Sequence, residues 1–176
     1  MIYSILLLVC VMAECLIFIM TYRKSKKEKK MIEKSLYKFL EDRILNMSLH
    51  HNISREQAVA LEYQKLFLCV DFMDTKPHML NLFSLDDCVT IGRSQSNIIC
   101  IRDSRLSRMH CKISLIQGKL YLQDLGSANG TVIKRGMFQK IPVCAQGIAE
   151  LYQGDILSMG SYSLKISTYY GREARM

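Results

Sequence analysis

The chain has 176 residues, a formal net charge of +8 and 49% hydrophobic residues. That length suits one domain of ordinary size plus appendages, and it excludes two large domains. Residues 23–30 supply +5 of the charge, Glu14 supplies −1, and residues 31–176 carry only +4. The charge pattern therefore indicates a local basic segment rather than a nucleic-acid-binding domain, and we expect no nucleic-acid partner.

Residues 2–22 are apolar apart from Glu14 and a few mildly polar side chains. A helix of this length spans about 30 Å, which is the thickness of the hydrocarbon core of a bilayer. The alternative is a cleaved secretory signal, but no basic residue precedes the run, the run is longer than a signal core, and no small-residue cleavage site follows it. The sequence therefore predicts a transmembrane anchor over residues 1–22.

A basic segment follows the apolar run directly. Only Glu28 opposes its six cations, which are Arg23, Lys24, Lys26, Lys27, Lys29 and Lys30. Such a segment stays in the cytoplasm by the positive-inside rule, so we expect a single-pass cell-membrane protein with its N-terminus outside and its C-terminus inside. Two interpretations of Glu14 stay open: it contacts another helix in the bilayer, or it is protonated or snorkels from a single helix.

Residues 23–64 are predicted to form a basic and helical juxtamembrane linker. Apolar residues recur at three- and four-residue steps from Ile32 to Met47, as one face of a helix requires. The partner of this stripe is open between the membrane surface, a second copy of the chain and the domain that follows. A break is expected over residues 48–52, and Ser54 with Gln57 predicts a capping box that begins a second short helix ending near Tyr63.

From residue 65 the pattern changes to short β-type runs separated by turn residues. The predicted strands cover residues 66–72, 79–85, 88–91, 98–101, 111–116, 120–123, 131–133, 156–158 and 161–167. Many short strands with no long helix between them are typical of an antiparallel sandwich or barrel. We therefore expect an all-β domain over residues 65–168, followed by a loose tail over residues 169–176.

Nothing in the sequence predicts an enzyme. No H-E-x-x-H, Walker A, G-x-G-x-x-G or kinase catalytic loop occurs, and the S-x-x-K spacing of Ser35 and Lys38 lacks its companion motifs. The seven cysteines include no C-x-x-C pair, so we expect them to act as small buried hydrophobes without disulfides. The sequence thus predicts no metal site, no cofactor and no small-molecule substrate.

Four short motifs lie in order within the β region. They are G-R at residues 92–93, S-R-x-H at 107–110, N-G at 129–130 and G-D at 154–155. In this order and at these separations the sequence resembles the forkhead-associated (FHA) family over about residues 66–167. The resemblance implies an FHA-type antiparallel β-sandwich that recognises phosphothreonine peptides.

Five polar residues beside the predicted turns form the candidate binding site: Arg93, Ser107, Arg108, Ser127 and Asn129. Loops at one end of a sandwich expose such side chains for recognition. Two guanidiniums with hydroxyl and amide donors suit a phosphate dianion. The resemblance implies that Arg93 and Ser107 contact the phosphate directly and that Arg108 assists. It also implies that Asn129 bonds the backbone of the bound peptide.

The remaining motif residues are expected to shape the loops. These are Gly92, His110 and Gly130. No nucleophile or carboxylate stands near His110 in sequence, so loop bracing is favoured over acid–base chemistry, and Gly130 is expected to supply a positive φ. Phosphate-binding members of the family often carry Thr or Ser where this chain has Ala128, which leaves Ser127 as the substitute hydroxyl.

Together these patterns predict a membrane-anchored cytosolic module that recognises phosphothreonine peptides and acts as an adaptor in Ser/Thr kinase signalling. Its partner would be a protein or peptide that contains phosphothreonine. The alternative is a phosphate-independent membrane scaffold that uses the sandwich as a protein–protein interaction surface.

Overall fold

The computed structural model describes residues 2–50, 53–75 and 79–174, except for the side chains of residues 2–8. Within these ranges the chain forms two α-helices, α1 (Ile2–His50) and α2 (Arg55–Gln64), and a C-terminal 3-10 helix (Gly171–Ala174). The strands are β1 (Leu66–Phe72), β2 (Met79–Ser84), β3 (Val89–Gly92), β4 (Ile99–Cys100), β5 (Cys111–Ile116), β6 (Lys119–Asp124), β7 (Thr131–Arg135), β8 (Gln139–Val143), β9 (Ile148–Leu151), β10 (Ile156–Met159) and β11 (Tyr162–Tyr170).

The strands form two sheets that pack face to face. One sheet has the order β2-β1-β11-β10-β7-β8 and the other has the order β4-β3-β5-β6-β9. The short pair β3–β4 is parallel, and the other strand pairs in the described residues are antiparallel. Apolar side chains from both sheets meet in one core, which includes Leu68, Ile113, Leu122, Ile133 and Leu157. The predicted all-β sandwich is confirmed.

Two strands were not predicted, and both lie at sheet edges. β8 contains Lys140 and Pro142, and most of its residues are exposed. Proline is tolerated at an edge because it has no N–H to donate to a neighbouring strand. β9 is short and buries only Leu151. Neither segment needs the alternating apolar pattern by which a strand is recognised in a sequence.

Helix α1 extends to His50, so residues 48–50 of the predicted break are helical. Residues 51–52 lie outside the description, residues 53–54 are not helical, and α2 begins at Arg55. The apolar stripe of α1 buries Ile32, Leu36, Leu40 and Ile44. The last three of these pack against Ala58 of α2, Phe67 of β1 and Ala174 of the 3-10 helix. Of the three partners considered for the stripe, the structure therefore shows the domain that follows. The predicted capping box at Ser54 and Gln57 is present at the start of α2.

A buried charge cluster fixes α1 to α2 and to the β2–β3 connection. Glu62 is fully buried, and its carboxylate accepts hydrogen bonds from Arg43 Nε at 2.6 Å and Nη2 at 3.1 Å. Lys65 Nζ lies 3.0 Å from the same carboxylate, and both cations also reach Asp86. Burial alone would raise the pKa of Glu62, but the hydrogen bonds from Arg43 and Lys65 outweigh it and hold that pKa below its ordinary value.

The C-terminal segment is more ordered than the predicted loose tail. β11 continues to Tyr170, and Gly171 N donates to Lys65 O at 3.0 Å. Ala174 is buried in the cluster formed by α1 and α2. The predicted tail is therefore wrong for residues 169–174, because α1 and α2 provide an apolar surface that the short C-terminal sequence does not reveal; residues 175–176 lie outside the description.

The cysteines also differ from expectation. Cys69 and Cys111 are buried, and burial raises the pKa of each thiol to about 12. The four exposed cysteines are Cys10, Cys15, Cys100 and Cys144. The expectation of burial is wrong for these four, because they lie on the free part of α1, on an edge strand and in a turn.

From residue 9 to residue 22, every side chain of α1 is exposed. Many of these side chains are large and apolar, and Phe18 is 70% exposed. Among the residues whose side chains are described, no helix is long and apolar enough to cross a membrane.

Candidate functional site

Three loops meet at one end of the sandwich, which we name the recognition end. They are the β3–β4 loop (residues 93–98), the β4–β5 loop (residues 101–110) and the β6–β7 loop (residues 125–130). The five predicted binding residues all lie on them: Arg93, Ser107, Arg108, Ser127 and Asn129. The fold therefore brings together residues that are up to 36 positions apart in the sequence.

Backbone hydrogen bonds join the three loops directly at the predicted site. Arg93 N donates to Ser107 O at 3.0 Å, and Ser94 N donates to Arg108 O at 3.1 Å. Ala128 N donates to Ser107 Oγ at 3.0 Å, which ties the β6–β7 loop to the β4–β5 loop. The side chains of Arg93, Ser107 and Arg108 therefore project from backbone segments that are held in a fixed relation.

The donors of these three residues are available to a ligand. Arg93 and Arg108 are exposed, and neither guanidinium has a hydrogen-bond or ion-pair partner among the described residues. Ser107 Oγ uses an oxygen lone pair to accept the Ala128 N–H, so the hydroxyl hydrogen is left to donate. Two planar cationic forks and one hydroxyl donor thus face solvent at the same end of the domain.

Asn129 is oriented by the loop beside it. Its Nδ2 donates to Arg105 O at 2.7 Å, which leaves the amide oxygen as an acceptor. Arg105 is in turn held by Asp103, with Nη2 2.7 Å from Oδ2, and by Ser161 Oγ at 2.6 Å. The hydrogen bonds from Arg105 hold the pKa of Asp103 at about 2, so this support is ionised throughout the physiological range.

Ser127 occupies a different environment from the other predicted binding residues, because it is buried. Its hydroxyl donates to Asp124 Oδ2 at 2.6 Å and accepts from Gly130 N at 3.0 Å. Asp124 Oδ1 also accepts the N–H of Gly126 at 2.9 Å and of Ser127 at 2.7 Å. The Ser127 hydroxyl is therefore engaged within the β6–β7 loop, while Gly130 has a positive φ of 68°.

His110 is fully buried between the loops. Its Nδ1 lies 3.2 Å from Ser107 N, and its Nε2 lies 3.2 Å from Gly130 O. A backbone N–H can only donate and a carbonyl can only accept, so the ring is neutral with its hydrogen on Nε2. The backbone of His110 adds two bonds, donating to Ile91 O and accepting from Leu125 N, each at 2.9 Å. One residue thus joins β3, the β4–β5 loop and the β6–β7 loop.

Close packing under the arginines requires Gly92. A Cβ atom at this position would lie 2.4 Å from Arg108 O and 2.9 Å from Asn97 Nδ2. Asn97 is buried and donates from Nδ2 to Ser94 O at 2.9 Å and to Arg108 O at 2.7 Å. The amide of Asn97 therefore connects the loop that carries Arg93 to the loop that carries Arg108.

The sequence did not reveal three supporting residues: Asn97, Asp103 and Asp124. A local signal exists for two of them. An aspartate whose side chain accepts the N–H of the residue two or three positions later is an ordinary turn former, and Asp103 and Asp124 both do so. Asn97 bonds Arg108 across eleven positions, a contact that no local pattern predicts.

Comparisons with known proteins agree with this fold and these motifs. Residues 89–160 match the family model of the FHA domain. An FHA domain-containing protein of Arabidopsis thaliana is 29% identical over 94 residues, which cover 53% of this chain and 21% of that protein. The chain thus spans about a fifth of the length of that relative.

Two solved structures illustrate the likeness. The FHA domain of the CT664 protein from Chlamydia trachomatis is 19% identical with a TM-score of 0.48, and the match covers 59% of this chain and 98% of that one. Mycobacterium tuberculosis EmbR, solved with a low-affinity phosphopeptide, is 18% identical with a TM-score of 0.45, covering 56% of this chain and 24% of that one. From the family-model match, we conclude that this chain contains an FHA domain.

Proposed function

We propose that this protein is a membrane-anchored cytosolic module that binds phosphothreonine peptides and acts as an adaptor in Ser/Thr kinase signalling. FHA domains are protein-interaction modules, and one observation carries the phosphate assignment here. The guanidiniums of Arg93 and Arg108 are exposed at the recognition end without a described partner, beside a Ser107 hydroxyl that is oriented by Ala128 N. Two exposed cations on loop segments that are joined by hydrogen bonds favour an anionic ligand.

A phosphothreonine side chain supplies such an anion. It carries a charge of about −1.5 to −2 near neutral pH and three acceptor oxygens. The planar forks of Arg93 and Arg108 suit two of these oxygens, and the Ser107 hydroxyl suits the third. Each charge-assisted hydrogen bond contributes about 1.5 to 3 kcal/mol.

The amide oxygen of Asn129 completes the proposed contacts. Its Nδ2 is committed to Arg105 O, so the oxygen is oriented as an acceptor for a backbone N–H of the bound peptide. Ser127 takes no direct part in this arrangement, because its hydroxyl is already bonded on both sides. We assign it instead to the support of the loop that carries Asn129.

The anchor belongs to the same proposal. The side chains of residues 9–22 are exposed and mostly apolar, including Val9, Ile17, Phe18 and Met20. An exposed apolar surface of this extent is typical of a membrane or protein contact. With residues 2–8 of the sequence it makes an apolar run long enough for a bilayer, and the cations that follow favour a cytoplasmic position for the FHA domain.

A titration of the full-length protein in detergent micelles tests the phosphate assignment. We expect library peptides with phosphothreonine to bind at least ten times more tightly than their unphosphorylated forms, and Arg93→Ala to weaken that binding by about tenfold or more. Arg55→Ala is the matched control, since Arg55 is an exposed arginine on α2 whose only described partner is Glu41. Equal binding of both peptide forms, or full affinity in Arg93→Ala, would contradict the assignment.

The alternative function is a phosphate-independent scaffold. It is favoured by Ala128, which supplies an N–H but no hydroxyl to the site, and by the β7–β8 turn, where Met137 and Phe138 are 88% and 89% exposed. A scaffold of this kind would bind its partner equally with and without phosphate. Its binding would fall on substitution of Phe138 and not of Arg93.

A further inference from the structure

The direction in which α1 leaves the domain determines where the recognition site lies relative to the membrane. Two ion-pair contacts fix the helix along β1. Near one end, Lys165 Nζ donates to Glu28, and Lys165 is paired with Asp71 of β1. Near the other end, Arg43 reaches the carboxylates that also bind Lys65, the residue just before β1.

The spacing of these two contacts sets the angle between helix and strand. From Glu28 to Arg43 the helix rises about 22 Å at 1.5 Å per residue. From Lys65 to Asp71 an extended chain covers about 20 Å at 3.3 Å per residue. Because the two lengths agree, α1 runs nearly parallel to the axis of β1, and its N-terminal part lies toward the end of the sandwich where β1 stops.

That end of the sandwich is the recognition end. The residue after β1, Met73, donates its N–H to Ser163 O at 3.0 Å. Two residues earlier, Ser161 accepts a hydrogen bond from Arg105 of the β4–β5 loop at 2.6 Å. A cavity of about 320 Å³ also places Lys24 and Lys27 of α1 near Met73. The basic segment of α1 and the recognition loops therefore share one end of the domain.

The end of the apolar run on α1 and the start of β11 also lie at similar distances from the Glu28–Lys165 contact, measured along the helix axis. Tyr22, where the apolar run ends, lies six residues before Glu28, or about 9 Å along the helix. Tyr162, where β11 begins, lies three residues before Lys165, or about 10 Å along the strand. Arg105 of the β4–β5 loop contacts Ser161, just before Tyr162, so the recognition loops are level with this end of β11. With residues 2–22 in the hydrocarbon, the site is at the height of the headgroup layer, which is about 5 to 8 Å thick.

The helix offers no hinge that would turn the site away from the bilayer. Residues 2–50 contain neither Gly nor Pro, the residues at which sharp helix bends usually occur. Burial of Ile32, Leu36, Leu40 and Ile44 holds the helix on the domain. The site therefore keeps its height and orientation when the protein is anchored.

We infer that the site recognises phosphothreonine in a juxtamembrane cytosolic segment of another membrane protein, and not on the surface of a soluble globular protein. The inference rests on the proposed function, including the anchor. A flexible segment that emerges from a neighbouring membrane span passes through the headgroup layer as it leaves the bilayer. A folded soluble domain cannot, because the bilayer on one side and the sandwich on the other leave no room for its bulk.

The test uses the full-length protein in phosphatidylcholine nanodiscs. The probe is one phosphothreonine peptide selected from a library, offered free or displayed in a surface loop of a globular carrier of about 40 kDa. A second form carries an eighteen-residue Glu/Ala/Lys helical insertion between Lys24 and Ser25. This insertion adds five turns, so it raises the domain by about 27 Å without rotating it. The control adds eighteen flexible Gly/Ser residues between Gln117 and Gly118, in a turn about 20 Å from the recognition end, because a rigid helix could not join the paired residues Ile116 and Lys119.

We expect the unmodified protein and the control to bind the displayed peptide at least tenfold more weakly than the free peptide. The raised form should bind the two within twofold. Equal binding of free and displayed peptide by the unmodified protein would overturn the inference while leaving the proposed function in place. Binding of the free peptide by the raised form alone would also overturn the inference, because it would show that lipid covers the site in the unmodified protein. Failure of the free phosphopeptide to bind any form would instead overturn the proposed function.

Discussion

Asn97 offers a sharp test of how the site is held together, because its side chain supports the binding loops without facing the ligand. Its Nδ2 donates to Ser94 O at 2.9 Å and to Arg108 O at 2.7 Å, and the residue is 7% exposed. In Asn97→Asp the shape is retained, but an acceptor replaces both donors. Two carbonyl oxygens then face a carboxylate oxygen at hydrogen-bond distance.

The loss of unfolding free energy in Asn97→Asp follows from these contacts. Each net hydrogen bond contributes about 0.5 to 1.5 kcal/mol, so the two together account for about 1 to 3 kcal/mol of unfolding free energy. Burial of a carboxylate beside carbonyl oxygens adds to that loss. The bound state needs the Arg93 and Arg108 loops in register, so about 1 kcal/mol of the loss should appear as roughly fivefold weaker phosphopeptide binding.

Urea denaturation and phosphopeptide titration of the full-length protein in micelles measure the two effects. Ser96→Ala is the control, since Ser96 is exposed and its hydroxyl bonds only Ser94 Oγ; it should change neither quantity. Unchanged stability and affinity in Asn97→Asp would refute the idea that this amide holds the two arginine-bearing loops together.

Three further predictions follow from single positions. The pKa of Glu62 lies below its ordinary value near 4.5, so its stabilising charge is complete above that pH and is lost as pH falls below it. Thermal melts should show a steeper loss of stability from about pH 5 to pH 3 in the wild type than in Glu62→Gln, which should be about 3 kcal/mol less stable at neutral pH. Gly92→Ala should cost about 1 to 3 kcal/mol in denaturation and weaken peptide binding, because its Cβ meets a backbone oxygen. Gly118→Ala, whose Cβ meets open space but whose φ is +76°, should lose some stability and still bind the peptide normally. Ala128→Thr should tighten phosphopeptide binding by up to about tenfold in titration, because its hydroxyl adds one donor to a charged group, and unchanged affinity would show that the hydroxyl does not reach the phosphate.

The sequence predicted the strands that line the core along their length and missed β8 and β9, which each bury a single residue, Val143 and Leu151. β1 and β5 match their predicted bounds because apolar side chains face the core along them. β8 and β9 are held by strand pairing at sheet edges, with registers such as Ile133↔Ile141 and Leu122↔Ala149. Backbone pairing leaves little trace in side-chain type, so edge strands with few buried residues are poorly predicted from sequence.

The two helices were predicted, but the end of the first was placed too early in the sequence. The stripe from Ile32 to Ile44 and the capping box of α2 both appear as expected. The break predicted at residues 48–52 relied on weak local preferences, and α1 extends over residues 48–50 because such preferences do not fix a helix end to the residue. The Arg43–Glu62 pair also joins positions 19 residues apart, and no helical periodicity relates residues on two different helices.

In the candidate site, the exposed binding residues were predicted more completely than the buried residues that support them. Exposed residues such as Arg93 and Arg108 were named from their motifs, because donors to a phosphate must be of particular chemical types. The buried residues that fix them were named less completely, because an amide or carboxylate that bonds backbone atoms can come from many positions. Ser127 shows the difference well, since its predicted hydroxyl contact is used inside the loop by Asp124 and Gly130.

In the proposed function, two structural features act on the same ligand: the rigid recognition site and the fixed junction between the domain and α1. Within the site, His110 and Asn97 fix the loops before any peptide arrives, so little ordering of the protein remains to oppose binding. Outside the site, the buried stripe and the Arg43–Glu62 pair fix the domain on α1. A rigid site on a rigid stalk cannot adapt to partners at different heights. Under this proposal, selection depends on where a phosphothreonine lies relative to the bilayer as well as on the residues around it, and the raised form of the protein separates these two contributions.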